Sequence, residues 1–302
     1  MKKTFITLVL LIFTATIASA QDINKLSGSL LWKISGNGIT RPSYIVGTHH
    51  LAPVSFTDSI SGLKEALNAT NQVVGEILMG NEAEMQAKLL KVAMMPDGET
   101  YHTLLSKEDY EILDKGLNEV LGVGLDKVGR MRPGILSTLY SLALYTKLYP
   151  EYKMGQESID EYLQRTANDN GKTILGLESI EDQVHALLDS EPMEAQIEVL
   201  ICTVSNNSFE KETADLLNDY YYAGNLTGMY NLALNDPNDP CPTSKSHKDA
   251  LLRNRNNKWI GELPAIMKDK PSMIAVGALH LAGEEGLLYQ LSKLGYTVEA
   301  VK

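Results

Sequence analysis

Cysteine is scarce in this sequence, since only two of the 302 residues are cysteines. Two cysteines cannot build a disulfide scaffold, and Cys202 and Cys241 lack the CxxC spacing of a zinc knuckle or a thiol redox motif. No GxSxG elbow, HExxH helix or phosphate-binding P-loop occurs either. These absences argue against serine hydrolases, classical zincins and nucleotide-dependent enzymes.

Positive charge is also in deficit, with 27 Lys and Arg residues against 38 Asp and Glu residues and a formal net charge of -11. Because the sequence has no run of Lys and Arg, neither nucleic acid nor an anionic membrane face is an expected partner. The hydrophobic fraction of 44% is that of a globular chain that forms a core. Disorder is therefore excluded as the main state.

The first twenty residues have the pattern of an export signal. Two lysines precede an apolar stretch over residues 5–17, and Ala-Ser-Ala follows, ending at Ala20. This order is typical of a cleavable signal peptide and is too short for a stable membrane anchor, although an uncleaved signal anchor is the alternative. We predict a signal peptide at residues 1–20 and a single domain over residues 21–302, periplasmic or extracellular, with no membrane span. In such a compartment the two cysteines either pair or remain free thiols.

Hydrophobic periodicity and turn residues predict the order of the elements. Strands at residues 30–34 and 44–46 flank a Gly-Asn-Gly turn and form a hairpin. The later elements are a helix near residues 60–67, a strand at 72–79, a mostly helical middle over 82–233 with one strand at 172–177, a polar helix at 246–267, and a final strand, helix and strand at 273–276, 285–294 and 296–301.

An internal repeat is the most informative feature of the sequence. PSYIVGTHHLA at residues 42–52 and PSMIAVGALHLA at residues 271–282 share VGxxHLA, and each copy is followed by a Gly-Leu helix start and a strand. The repeat predicts two pseudo-symmetric strand-GxxH-helix-strand units. His50 and His280 then lie just beyond the carboxyl ends of strands, which is the edge where open α/β sheets bind ligands.

Two carboxylates belong to the same edge. Glu76 lies near the end of its strand and Glu178 closes the strand KTILGLE. Two imidazoles and two carboxylates form a suitable site for a divalent first-row metal such as Mn, Fe, Co or Zn. Such an ion ionises water for attack on a carbonyl, and a carboxylate that does not bind the metal can act as general base.

Each of these residues also has a structural interpretation. A single histidine after a strand is often a hydrogen-bonded structural residue, and Glu178 can serve as a cap at the positive end of the following helix. His49 points to the opposite side of the sheet if its strand continues. Burying Glu76 in an apolar strand without a partner is costly, which favours a functional role.

The polar helix contains a second group of candidates. Its stretch LLRNRNNKWIGEL places Arg255 and Asn256 close to Trp259 at helical spacing. Arg255 and Asn256 on a helix that faces a cleft would orient a substrate carbonyl or stabilise an oxyanion. A solvated helix with salt bridges is the alternative.

Together these segments resemble the TraB/GumN family, which is related to the Tiki metal-dependent peptidases. The resemblance extends over residues 30–301 and rests on an ordered set of motifs: SYIVGTHH, VVGEI, PDGETYHTLLS, SIDEYLQRTANDNGKTILGLESIEDQ, LLRNRNNKW and IAVGALHLAGEEGLLYQLSKLGYTVEAV. It implies an α+β fold: a mixed central β-sheet with flanking helices, two GxxH units and a mostly helical middle insertion. In the best-known relatives it implies Mn- or Co-dependent proteolysis.

The resemblance also assigns roles to residues of this chain. The two motif histidines and the single glutamate after the first unit are the implied metal ligands, and the implied catalytic residues are that glutamate, the glutamate of the GLE element and the Arg-Asn pair: His50, Glu76, His280, Glu178, Arg255 and Asn256. The family often has an acidic residue two positions after its first glutamate, where this chain has Leu78.

Two functions of different classes follow. As an enzyme, the protein holds a divalent metal, Mn or Co first and Fe or Zn as alternatives, and cleaves a peptide or protein substrate with Glu178 as general base or supporting residue. As a binding protein of the same fold, it captures haem, a metal or a peptide without breaking a bond. Haem capture requires an apolar pocket with a histidine or tyrosine axial ligand, which the sequence offers at Tyr220, Tyr221 and Tyr222. The oligomeric state is left open.

Overall fold

The computed structural model describes residues 26–80, 88–90 and 92–302. The predicted signal peptide lies outside these residues, and the predicted single domain over residues 21–302 remains a prediction. Among the described residues, no helix combines the length and the apolar character needed to cross a bilayer.

Six strands form one mixed sheet: β1 Leu31–Gly36, β2 Ser43–Thr48, β3 Gln72–Gly75, β4 Thr173–Gly176, β5 Ser272–Gly277 and β6 Tyr296–Ala300. The strand order is β4-β3-β5-β2-β1-β6. β1 runs antiparallel to both of its neighbours, whereas all other neighbouring strands are parallel. The expected α+β fold with a mixed sheet is confirmed.

Within the described residues, the helices of seven or more residues that have defined bounds are α1 Leu63–Ala69, α2 Lys107–Leu121, α3 Pro133–Leu148, α4 Ile159–Asp169, α5 Ile180–Leu188, α6 Met193–Ser205, α7 Asn207–Tyr222, α8 Leu226–Asn235, α9 Asn254–Asp269 and α10 Leu287–Lys293. Shorter helical turns lie at Val54–Ser59, Tyr101–Leu104, Leu125–Val128, Lys245–Lys248 and Ala278–His280. A π-helical turn at Asp249–Arg253 immediately precedes α9.

The repeated motif takes the same place in two β-α-β units. β2 leads through α1 to β3, and β5 leads through α10 to β6, with the two strands of each unit pointing the same way. β2 and β5 are also direct parallel neighbours, with Gly47 beside Val276. The two copies of the motif therefore lie side by side at one edge of the sheet.

Several element boundaries differ from the sequence prediction, and three of the differences concern the elements next to Glu76, Glu178 and Arg255. The strand predicted at residues 72–79 ends at Gly75, although the Glu178 amide still donates to the Glu76 carbonyl at 2.9 Å. The strand predicted at 172–177 is shorter by one residue at each end. The helix predicted at 246–267 is divided by the π-helical turn. The early end of β3 and the π-helical turn both lie at the sheet edge that carries Glu76 and Arg255.

The core has two parts. A large cluster surrounds the sheet, and residues such as Ile274 and Val276 on β5 are fully buried. A smaller cluster lies among α2, α3 and α6 and includes Leu117, Tyr140 and Leu200. A disulfide between Cys202 and Cys241 joins α6 to the loop that precedes Thr243. The two cysteines are therefore paired and are not free thiols.

Candidate metal and catalytic site

The parallel strands bring the predicted site residues to one edge of the sheet. Glu76 follows β3 directly, His50 and Glu178 lie two residues beyond β2 and β4, and His280 ends the short helical turn after β5. Because β2, β3, β4 and β5 all point the same way, their carboxyl ends meet at this edge. The topology therefore confirms the common edge that the repeat predicted.

Glu76 is a buried carboxylate that accepts hydrogen bonds at both oxygens. Its Oε1 accepts from the Gly277 amide at 2.7 Å, and its Oε2 accepts from Arg255 Nη2 at 2.5 Å and from Gln183 Nε2 at 3.1 Å. Burial opposes ionisation of this carboxyl, but His280, Arg255 and the Gly277 amide outweigh burial and lower its pKa to about 2. Glu76 is therefore ionised at neutral pH.

Arg255 lies at the centre of the cluster. Its Nε donates to both Glu178 oxygens at 3.1 Å, and its Nη2 donates to Glu178 Oε1 at 2.6 Å. Its Nη1 donates to the Leu251 carbonyl at 3.1 Å, a group that belongs to the π-helical turn. The guanidinium packs over Trp259 at 4.8 Å. Arg255 thus links the two carboxylates to α9 and to the widened turn before it.

His280 is buried and neutral. Its Nε2 faces Arg255 Nη1 at 3.0 Å, and its Nδ1 lies 2.7 Å from Asn256 Oδ1. Arginine can only donate, so Nε2 is the acceptor and the proton is on Nδ1, where Asn256 Oδ1 accepts it. Burial lowers the pKa of His280 to about 3. The ring also packs against Trp259 at 4.5 Å.

Asn256 has no polar atom left for a substrate. Besides accepting from His280, its amide nitrogen donates to the His280 carbonyl at 3.1 Å and to the Glu285 carbonyl at 2.7 Å. The residue is 2% exposed. Asn256 therefore fixes the position and the tautomer of His280.

His50 has a different partner, which the sequence analysis missed. Its Nδ1 lies 3.1 Å from Oδ2 of Asp160, a buried residue in the first turn of α4, and Thr48 donates to the other Asp160 oxygen at 2.8 Å. The hydrogen bond to Asp160 raises the pKa of His50 to about 9. One signal was present, because Asp160 and Gln164 lie beside the apolar stripe that includes Ile159 and Leu163 on α4.

Four of the residues described above line one cavity of about 570 Å³, which we call the reactive cavity. Its polar wall contains His50, Glu76, Arg255 and His280, and leucines contribute most of the apolar wall. His49 also lines it. His49 was expected to point away only if its strand continued, and this condition is not met, because β2 ends at Thr48 and the strict alternation of a strand does not reach the histidines.

Only two of the three predicted metal ligands lie next to each other. Glu76 Oε1 and His280 Nε2 are 3.7 Å apart, whereas His50 is paired with Asp160. Within the described part of the chain, no group of three or more His, Cys, Asp or Glu side chains is arranged to hold an ion. The donor types nevertheless suit a first-row metal, since both imidazoles are held at Nδ1 by side-chain oxygens and Glu76 is ionised.

The tyrosines considered as haem ligands do not line the reactive cavity. Tyr221 is 1% exposed and its hydroxyl donates to the Gly47 carbonyl at 3.3 Å. Its ring packs against His49 and Phe56. Tyr221 is a core residue that supports the turn after β2.

This protein is thus an α+β protein with a mixed sheet, two GxxH units and a charged cluster at the carboxyl edge of the sheet. The profile of the TraB/PrgY/gumN family matches residues 30–300, and the chain belongs to this family. It is similar to a protein named "Metalloprotease TIKI homolog" from Nematostella vectensis, with 23% identity over an alignment that covers 91% of this chain and 67% of that protein.

It is also similar to "Metalloprotease TIKI2" from Danio rerio, with 24% identity and coverage of 93% of this chain and 62% of that protein. The chain thus spans about two thirds of the length of these relatives. No solved structure matches it.

Proposed function

We propose that this protein is an exported, metal-dependent hydrolase that cleaves peptide bonds. Its family and the metalloprotease names of its relatives support the reaction class. One structural observation carries the proposal: Nδ1 of each motif histidine is held by a side-chain oxygen, from Asp160 or Asn256, while Glu76 is ionised beside His280. This is the arrangement by which proteins orient imidazoles toward a metal.

His50, Glu76 and His280 would hold the ion, for which Mn or Co is the first expectation and Fe or Zn the alternative. A bound divalent ion supplies Lewis-acid polarisation of a carbonyl and lowers the pKa of water. In the described arrangement Arg255 Nη1 donates to His280 Nε2, the atom that would face the ion. Loading therefore requires this hydrogen bond to open and His50 to release its Nε2 proton.

The supporting residues divide into one that contacts substrate and two that position other groups. Arg255 lines the reactive cavity and offers its positive charge to a substrate carbonyl oxygen as negative charge develops there. The Glu178 side chain is 1% exposed and its two oxygens accept from Arg255, so we assign it the role of positioning Arg255. Asn256 positions His280.

A second candidate function is capture of a metal or a peptide without cleavage. The observation that favours it is the charge balance of the cluster, because Arg255 pairs with Glu76 and donates to His280 Nε2. In this alternative the cluster is a structural ion-pair network, and the reactive cavity binds a ligand without cleaving it.

Metal analysis separates these functions. The protein is purified without a histidine tag, and metal content and divalent-ion affinity are measured for the parent, His50→Ala and His280→Ala, with the exposed His102→Ala as a matched control. We expect about one ion per chain in the parent and in the control, and its loss in both site variants. A peptide library incubated with the loaded protein then reports cleavage by mass spectrometry.

Absence of ion binding in the parent would contradict the hydrolase proposal. Ion binding that depends on both histidines, without cleavage of any library member, would favour the second candidate function.

A further inference from the structure

The reactive cavity adjoins two further cavities. It shares His50, Leu51 and Leu217 with a cavity of about 600 Å³, which we call the apolar arm. It shares a different set of residues with a third cavity, of about 770 Å³, which we call the polar arm: Leu234, Thr243, Lys248, Leu252 and Leu279. The two arms have no lining residue in common, so the reactive cavity lies between them. Such a cleft suits an extended chain that passes through it.

The apolar arm runs between two helices of the helical middle region. α3 contributes Leu142, Leu144 and Leu148, and α7 contributes Ala214 and Leu217. These side chains favour apolar residues in whatever segment occupies the arm. Because Leu217 lies in the walls of both cavities, the arm adjoins the reactive cavity.

Besides the hydroxyl residues Ser137, Thr138, Ser141 and Thr213, one acidic residue lines the apolar arm. Glu210 lines the apolar arm two turns before Leu217 on α7 and is partly buried. Within the described ranges its carboxylate has no hydrogen-bond or ion-pair partner, and its basic neighbour Lys211 is bound to Asp215. Burial, together with the negative charge of Asp239, raises the pKa of Glu210. A partly buried carboxylate without a cation is costly to the free protein, and a positive charge on a ligand would relieve that cost.

The distance along α7 sets the register of such a ligand. Seven residues separate Glu210 from Leu217, which corresponds to about 10 Å along a helix. An extended peptide advances roughly 3.3 to 3.6 Å per residue. Glu210 is therefore about three peptide residues beyond the point where the apolar arm opens into the reactive cavity.

We propose that the apolar arm is a substrate-recognition site for an extended peptide whose apolar residues lie along α3 and α7 and whose Lys or Arg side chain pairs with Glu210. The inference rests on the proposed function for the meaning of the reactive cavity, but it concerns recognition, which is measurable without cleavage. Glu210 is a specificity-determining residue in this proposal.

The test uses short labelled peptides in which an apolar stretch is flanked by neutral residues. One lysine is moved along the peptide a residue at a time, with norleucine at the same position as the neutral match. Binding to the purified protein is measured by fluorescence anisotropy without added metal. We expect one lysine position to bind about tenfold more tightly than its norleucine match, the gain of a charge-assisted pair.

Glu210→Gln is expected to abolish that preference, whereas Glu212→Gln, on an exposed position of the same helix, is expected to retain it. Thermal unfolding of Glu210→Gln should show no loss of stability, because the carboxylate has no partner to lose among the described residues. The inference is overturned if no lysine position is preferred, if the preference survives in Glu210→Gln, or if none of the peptides binds.

Cleavage assays with added metal keep this inference separate from the proposed function. Peptides that bind with the expected preference but are never cut would overturn the proposed function alone. Peptides that are cut without any preference for lysine position would overturn this inference alone.

Discussion

His50 and His280 occupy the same position of the repeated motif, yet their surroundings are opposite. The side chain of His50 is 64% exposed, whereas that of His280 is 5% exposed. His50 is paired with a carboxylate and its pKa is raised to about 9, whereas His280 is buried and its pKa is lowered to about 3. At neutral pH, one histidine carries a positive charge and the other does not.

The difference arises from the helices that cover each unit. α4 brings Asp160 to His50, and an anion beside an imidazole favours its charged form. α9 brings Asn256, Trp259 and Arg255 to His280, so that this imidazole is buried next to a cation. The same motif therefore acquires two protonation states from helices that lie outside the repeat.

The comparison also shows where stability is concentrated. The His280 side contains the buried network of Glu76, Glu178 and Arg255, and a network of this kind is costly to break because the remaining charges stay buried. The His50 side has a single exposed imidazole on one buried carboxylate. Changes on the two sides should therefore differ in magnitude and in the property they affect.

The largest effect is expected from Arg255→Gln. This change removes the cation that pairs with Glu76 and Glu178 and leaves two buried carboxylates without a full counter-charge. We expect the free energy of unfolding to fall by about 3 to 5 kcal/mol, the cost of breaking a buried ion pair. Urea denaturation followed by circular dichroism measures the change.

Arg253→Gln is the matched control. Arg253 lies two residues before Arg255 and pairs with Asp249, one helical turn before it, near the surface. The control should change stability by less than about 1 kcal/mol. Equal losses in the two variants would show that the buried network has no special role in stability.

A smaller loss is expected from Asn256→Ala. It leaves the His280 Nδ1–H and the His280 carbonyl without their partner, and it removes one of the two donors to the Glu285 carbonyl, which still accepts from Gln290. The expected decrease in the free energy of unfolding is about 1 to 3 kcal/mol, since each of these groups is buried or partly buried. The same unfolding assay applies, and ion affinity should fall by roughly 10-fold to 100-fold because the imidazole loses its orientation.

Asn257→Ala is a suitable control for that experiment, because Asn257 is an exposed residue on the same helix. An unchanged ion affinity in Asn256→Ala would contradict the positioning role, whatever its stability.

The smallest effect on stability, and the sharpest test of the comparison, is expected from Asp160→Asn. Without the carboxylate the pKa of His50 should fall from about 9 toward its ordinary value of 6.5, while His280 stays neutral. Titration of the metal-free protein, followed by NMR of the imidazole protons, measures both groups.

The sign of the pH dependence follows from the direction of the shift. Because the folded pKa of His50 is raised, its pairing with Asp160 stabilises the folded protein fully below pH 6.5, and the contribution disappears as the pH rises through about 9. The parent should show this decline and Asp160→Asn should not. A His50 pKa that stays near 9 in the variant would show that another group holds the proton.

Local sequence patterns predicted much of the fold. The apolar run of β5, the hairpin of β1 and β2 and the two Gly-Leu helix starts are local signals, and all three led to elements that the structure contains. The repeat predicted that His50 and His280 share an edge with Glu76 and Glu178. These predictions succeeded because strand direction and the repeated unit fix which ends of the strands meet.

Packing between distant segments decided the rest. Asp160 is 110 residues from His50 in the sequence, and only the docking of α4 against the sheet brings them together. The pairing of Cys202 with Cys241 and the place of His49 in the reactive cavity likewise depend on contacts that no local pattern encodes.

The sequence alone thus determined that His50, Glu76, Glu178 and His280 gather at the carboxyl edge, because period, repeat and strand direction follow from local residue order. The tertiary structure decided what each of them does there. Charge state and hydrogen-bond partner depend on burial and on neighbours from other helices, so His280 became a neutral acceptor for Arg255 and His50 a charged partner of Asp160. The same packing set Glu210 in the wall of the apolar arm.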